Sequence, residues 1–272
     1  MKKISHGGNI YKKAKEMGIR EEDILDFSAN ISPLGLPEHI RKAMIEAIDG
    51  TINYPDPDCS RLKEAISKQD NVPESHITCG NGGADLLYRL AFGLHPKKVL
   101  LPAPAFVEYE EALSAAGAQM EYYLMRDDFV IKEDILEQIT EETDFVVICN
   151  PNNPTGILTE KELILRVLER AKETNTFVMA DECFLEICQN ESEYTVKPFI
   201  EKYENLIILK SFTKLYAIPG VRLGYILAGS EDVIAKVNRT GQAWSVSHIA
   251  QCAGVAALSD NVYKERDRKS VV

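Results

Sequence analysis

At 272 residues, 45% of them hydrophobic and 27% charged, the chain is long enough for one large domain with a substantial core. Its net charge of −11, from 31 basic and 42 acidic side chains, argues against nucleic acid or an anionic membrane surface as a partner, so any anionic ligand must be held by local groups. Six cysteines form neither a C-x-x-C pair nor a zinc-spaced Cys/His cluster, the opening MKKISHGGN has no apolar leader segment, and no apolar run reaches membrane-spanning length; no metal is expected, and the expected setting is the reduced cytoplasm.

Residues 1–35 are rich in turn formers, HGGN (His6 to Asn9) and DFSANISPLG (Asp26 to Gly35), around a short amphipathic helix at about Ile10 to Met17. They read as an ordered arm. Pro37 to Ile48 predicts a helix with Ile40, Met44, Ala47 and Ile48 on one face. In NYPDPDCSRLKEAI two prolines fix an extended turn that carries Tyr54, and Asp58 or Ser60 is placed to cap a helix over Arg61 to Lys68. His76 to Cys79 predicts a strand, followed by GNGG and a helix beginning near Ala84. The glycines permit close backbone approach, and the backbones of Gly83 and Ala84 sit where a helix N-terminus can hold an anion. The motif is neither G-x-G-x-x-G nor a Walker A loop, which disfavours a dinucleotide or ATP. Strands are predicted at Lys98 to Leu101 and Met120 to Leu124, with helices after PAPAF and over Ile131 to Ile139.

The run Asp144 to Cys149 is apolar enough for a strand covered on both faces, and NPNNPTG then makes a rigid turn at its end, where α/β sheets bind ligands; Asn153 lies in that turn. Thr159 to Thr174 predicts a helix capped by Thr159, with Glu162 at the capping-box position. Thr176 to Ala180 predicts a strand that ends at Asp181, a carboxylate in need of a partner. Leu206 to Leu209 is a strand that ends in Lys210; a second apolar run covers Val221 to Ala228, and the loop between them holds Ser211 and Lys214. Lys214 with Ser211 and Arg222 offers an amine, a hydroxyl and a fixed positive charge, a set that suits a phosphorylated carbonyl cofactor: the amine makes an imine while the other two hold the phosphate. Glu231 to Asn238 and His248 to Leu258 predict helices, with Trp244 and SVSHIA as a buried lead into the second. Strands and helices alternate from residue 76 to residue 228, which predicts an α/β sheet with helices on both faces. Each motif taken singly also suits an ordinary loop or core; their agreement carries the argument.

The stretch SFTKLYAIPGVRLGY resembles the lysine segment of fold-type I pyridoxal-phosphate (PLP) enzymes, within the class I/II aminotransferase superfamily. The branch it is most similar to holds L-threonine-O-3-phosphate decarboxylases and histidinol-phosphate aminotransferases. Y-P-D-P, G-N-G-G, N-P-N-N-P-T-G and D-E-C-F follow the family's order over about residues 6–260. The resemblance implies a three-layer fold-type I large domain with a mainly parallel central sheet. It also implies pyridoxal 5'-phosphate as cofactor, with Lys214 as the covalent amine, Asp181 at the pyridinium nitrogen, Asn153 at the phenolate oxygen and Phe106 stacked on the ring, Tyr109 being the alternative. Gly83, Ala84, Ser211 and Arg222 would then meet the phosphate, joined by Tyr54 from the other subunit of a homodimer. His6, Asn30 and Asn153 are implied around a small phosphorylated amino-acid substrate. Phe184 stands where the aminotransferase branch often has a tyrosine, and like HGGN and F-S-A-N it favours the decarboxylase branch.

The expected organisation is an N-terminal arm (1–35), a PLP-binding large domain (36–260), and residues 261–272 as the truncated start of a C-terminal small domain. In the family that domain adds on the order of 100 residues and an arginine for the substrate carboxylate. Three functions remain open at this point: decarboxylation of L-threonine O-3-phosphate in cobalamin biosynthesis, transamination of the histidinol-phosphate type, and PLP binding with little or no activity.

Overall fold

In a computed structural model, which describes residues 7–270, one seven-stranded sheet organises the chain. Its strands are β1 (Ile77–Gly80), β2 (Lys98–Ala103), β3 (Gln119–Leu124), β4 (Phe145–Cys149), β5 (Phe177–Asp181), β6 (Leu206–Ser211) and β7 (Gly224–Ala228), in the order β1-β7-β6-β5-β4-β2-β3. All pairings are parallel except those of β7, which runs antiparallel to both β1 and β6. The ends of β4, β5 and β6 therefore meet on one edge with the start of β7: Cys149 is in register with Asp181, and Ser211 with Gly224. That edge brings Asp181 and Ser211 close together in the sheet.

Helices of eight or more residues are α1 (Ile10–Met17), α2 (Glu38–Glu46), α3 (Ser60–Asp70), α4 (Gly83–Leu94), α5 (Val107–Ala115), α6 (Lys161–Glu173), α7 (Glu231–Arg239), α8 (His248–Leu258) and α9 (Asn261–Ser270). Strand alternation splits the core in two. Val146 and Ile148 of β4 join the cluster built with α3, α6 and α8, whereas Phe145, Val147 and Cys149 join the one built with α4, α5 and α7. The result is the expected three-layer, mainly parallel α/β fold.

Several local expectations fail for identifiable reasons. Ile131, Ile135 and Ile139 are all buried, but only Ile135–Gln138 is helical. The Tyr123 hydroxyl accepts from the Lys132 amide at 3.1 Å and donates to Asp134, which holds the backbone in another path. Thr159 does not cap α6. Its backbone is clipped to the side chain of Asn150 by two hydrogen bonds of 2.9 and 3.0 Å, and the helix starts at Lys161 without a side-chain cap. Neither Asp58 nor Ser60 caps α3; the carboxylate of Asp56 accepts from both their amides. Trp244 is half exposed rather than a buried lead, and Ser247 caps α8.

Candidate active site

Lys214 projects from the loop after β6 into a cavity of about 160 Å³ at the chemical edge of the sheet. Gly83, Ala84, Phe106, Asn153, Asp181, Ser211 and Arg222 line the same cavity, so eight of the expected site residues converge on one place. Tyr54 does not face it and Asn30 lines an adjoining cavity, while His6 lies outside the described residues.

The cradle starts at Gly82, whose φ of +87° opens the turn into α4. A Cβ at this position would lie 2.5 Å from the guanidinium of Arg222, so any other residue would push that cation from its place beside the start of α4. Asp85 ties the turn down, accepting from the Asn81 amide at 2.8 Å and from Arg89 Nε at 3.1 Å. Arg222 has left-handed backbone itself (φ +59°) and donates to the Pro219 carbonyl at 3.2 Å. Ser211 is buried with its hydroxyl 2.8 Å from that of Thr213. Unpaired helix-start amides, a guanidinium and a hydroxyl thus surround one point, which is a donor set for a phosphate.

Across the cavity stands Asp181 at the end of β5. One carboxylate oxygen accepts from the Tyr109 hydroxyl at 2.6 Å, the other from the Cys183 amide at 2.9 Å. Tyr109 was the alternative stacking ring; instead it is fully buried, orients Asp181, and packs edge-on against Phe106, which lies over the cavity. Burial and the Asp181 charge push the Tyr109 phenol well above its ordinary value, so it stays a donor. Burial chiefly, with the same charge, pushes the Cys149 thiol up to about 12 and keeps it an inert neighbour.

Lys214 has its ammonium 5.4 Å from the ring centre of Phe184. Burial lowers its pKa; Cys183 opposes this, the Arg222 charge adds to it, and Asp181 opposes it least of all. Its carbonyl accepts from the Ser32 amide at 3.2 Å, so the N-terminal arm is pinned to the lysine loop. Asn153 and Phe184 also line a second cavity of about 440 Å³, with Asn30, Ser32, Asn152 and Asp267 supplying polar atoms and Ile187 an apolar wall.

The model for class I and II aminotransferases matches residues 22–269. The chain belongs to that family. It is 36% identical over 263 residues to a threonine-phosphate decarboxylase of Salmonella typhimurium, spanning 96% of this chain and 72% of that protein. It is 34% identical over 262 residues to histidinol-phosphate aminotransferase 2 of Ralstonia nicotianae, spanning 96% and 70%. The crystal structure of a histidinol-phosphate aminotransferase from Clostridium acetobutylicum superposes with a TM-score of 0.84 at 30% identity, covering 90% of this chain and 73% of that one. Class I and II aminotransferases are enzymes, and their cofactor is pyridoxal 5'-phosphate. The cradle at Gly82 and Arg222, Asp181 with its two hydrogen bonds, and Lys214, whose pKa burial lowers, fit its phosphate, ring nitrogen and aldehyde respectively.

Proposed function

We propose that this family member removes the carboxyl group of L-threonine O-3-phosphate to give (R)-1-aminopropan-2-yl phosphate. The observation that carries this reading is Phe184. It sits between the two cavities beneath Lys214, with no hydroxyl to compete for the cofactor's oxygen or to relay a proton. The decarboxylase branch resembles this chain at that position, and the Salmonella relative supports the same reading.

Pyridoxal phosphate supplies, when bound, an electron-accepting ring next to the substrate's Cα. Lys214 provides the amine for the covalent link and then the group that holds a proton at Cα; burial makes the neutral amine accessible to it. Asp181 keeps a proton on the ring nitrogen, and Tyr109 and the Cys183 amide keep the carboxylate aimed. Asn153 would hold the phenolate oxygen and Phe106 would pack against the ring. Gly83, Ala84, Ser211 and Arg222 bind the cofactor phosphate, completed by Tyr54 of a second copy, so the working unit is a homodimer. The 440 Å³ cavity receives the phosphorylated side chain of the substrate, with Asn30 and Asn153 as donors.

The reaction balances without an oxidant: the Cα–carboxyl bond breaks, CO2 leaves, and Cα takes one proton. The test is incubation of the PLP-loaded protein with threonine phosphate, following CO2 and the amino-alcohol phosphate. In a parallel incubation, histidinol phosphate and 2-oxoglutarate are followed for glutamate. Glutamate without CO2 would replace the lyase reading by the transaminase one, which the Ralstonia relative favours.

A further inference from the structure

Tyr54 is 79% exposed, yet its ring has a partner on the surface. Its ring stacks on the indole of Trp244, with centroids 4.4 Å apart and planes at 25°. Trp244 takes up left-handed backbone (φ +56°), an unfavourable conformation for a bulky residue, in order to present that ring. On the other side Tyr54 is followed by Pro55, Asp56 and Pro57, and the Asp56 carboxylate accepts from the amides of Asp58 (3.0 Å) and Ser60 (2.7 Å). Gln251 of α8 joins the two pieces: its side-chain amide donates to the Asp56 carbonyl at 2.9 Å and to the Val246 carbonyl at 3.0 Å. The turn that carries Tyr54 and the loop that carries Trp244 are thereby clamped together.

Tyr54 does not line the Lys214 cavity, and its hydroxyl is bonded to none of the described residues. The adjoining segment leaves Ile48 and Ile52 exposed, an apolar border suited to a second copy.

We propose that Trp244 and Gln251 are positioning residues: they fix the Tyr54 hydroxyl in advance for the cofactor phosphate held by the second copy. The inference rests on the proposed placement of Tyr54 across the dimer and adds the means by which it is aimed. Stacking restricts the phenol to one orientation before the copies meet, so the cost of ordering a long exposed side chain is not paid at the moment the phosphate binds. Trp244 acts through Tyr54 and touches no reacting atom.

The test uses the intact chain and two ligands, pyridoxal phosphate and pyridoxal, which differ by the phosphate alone. Tyr54→Phe should weaken pyridoxal phosphate about tenfold and leave pyridoxal binding unchanged. Trp244→Leu should weaken pyridoxal phosphate about three- to tenfold, again with pyridoxal unchanged, while Trp244→Phe keeps the stack and stays close to the parent. The double variant Tyr54→Phe/Trp244→Leu should bind no more weakly than Tyr54→Phe alone, because without the hydroxyl there is nothing left to aim. Gln251→Leu provides a second route if Trp244→Leu dissociates to monomers in sedimentation. If Tyr54→Phe leaves phosphate-dependent affinity intact, the placement of Tyr54 fails and this inference with it. If Tyr54→Phe weakens binding but Trp244→Leu and Gln251→Leu do not, or if the losses multiply in the double variant, the placement stands and the aiming role is overturned. Equal losses for both ligands would reduce Trp244 to a structural residue.

Discussion

Lys210 and Lys214 lie four residues apart on the same strand and loop, and their surroundings drive them to opposite ends of lysine chemistry. Lys210 is wholly buried, with ion pairs to Glu182 at 3.7 Å and Glu191 at 3.9 Å. Burial alone would discharge it. Glu186, Glu182, Asp70 and Glu191 together overturn that and hold it charged. Lys214 is less buried but has fewer acids facing it and Arg222 close by, so burial prevails and its pKa falls. Depth of burial therefore does not by itself set the direction in which a lysine's pKa moves; the balance of charge facing it does.

Removing each amine separates the two roles. Lys214→Ala should abolish borohydride-fixed attachment of the cofactor and lower turnover by about four powers of ten, the upper range for a positioned acid–base group, with the urea midpoint almost unchanged. Attachment that persists at another peptide would remove Lys214 from the centre of the site. Lys210→Met should do the reverse. It removes the buried cation that faces Glu182, Glu186 and Glu191, which costs about 3–5 kcal/mol in unfolding free energy, while the folded fraction should still attach cofactor at Lys214. A Lys210→Met protein as stable as the parent would show that the acids around it are not ionised.

The chemical edge of the sheet was legible because each of its pieces is local. Lys214 with Ser211, Asn153 in its proline turn and the glycine turn before α4 all sit within a few residues of a strand end, where apolar run and turn residues mark the position. What went unread was held together by distant pairs. Tyr109 meets Asp181 across 72 residues, and Lys264 of α9 meets Glu186, 2.9 Å apart, across 78. Lys210 looked like the polar end of a strand; its acid partners come from the Glu182–Glu191 segment and from α3, and no periodicity points from one to another. A signal for Tyr109 did exist, a tyrosine one turn after Phe106 on the helix that follows β2, but spacing alone could not tell a stacking ring from a donor.

Acid should expose the same contrast with a smaller effect. Burial pushes Glu186 up, but the ammonium groups of Lys210 and Lys264 outweigh it and bring the carboxyl down from 4.5 to about 2. A carboxyl with a depressed folded value contributes stability that is complete above its ordinary value and is lost as pH falls towards 2. Over that span the loss is about 3 kcal/mol. Glu182 runs the other way: burial raises it despite Lys210, so its contribution is complete below the ordinary carboxyl range and fades as pH rises through the raised value. Urea midpoints at about pH 5 and about pH 3 should therefore fall steeply in the parent, and less steeply in Lys210→Met, where one of the two cations holding Glu186 is gone. Parallel acid limbs in the two proteins would detach Glu186 from Lys210.

The smallest effect is expected at Tyr109→Phe, on the Lys214 side of the contrast. The substitution keeps the buried ring and its edge contact with Phe106, and removes a 2.6 Å hydrogen bond to one oxygen of Asp181. The other oxygen keeps the Cys183 amide at 2.9 Å, so the carboxylate loses one of its two fixed bearings. A hydrogen bond to a charged group is worth about 1.5–3 kcal/mol, and part of that is recovered when the ring nitrogen of the cofactor becomes the partner. The expected result is a roughly tenfold loss of cofactor affinity with little change in the urea midpoint, because the volume of the core is kept. Asp181→Asn in the same background separates aim from charge. If Tyr109 acts by orienting the carboxylate, its removal should matter far less once the carboxylate is gone, and the two losses should fall short of additive. Fully additive losses would place Tyr109 in the packing of α5 rather than in the hold on Asp181.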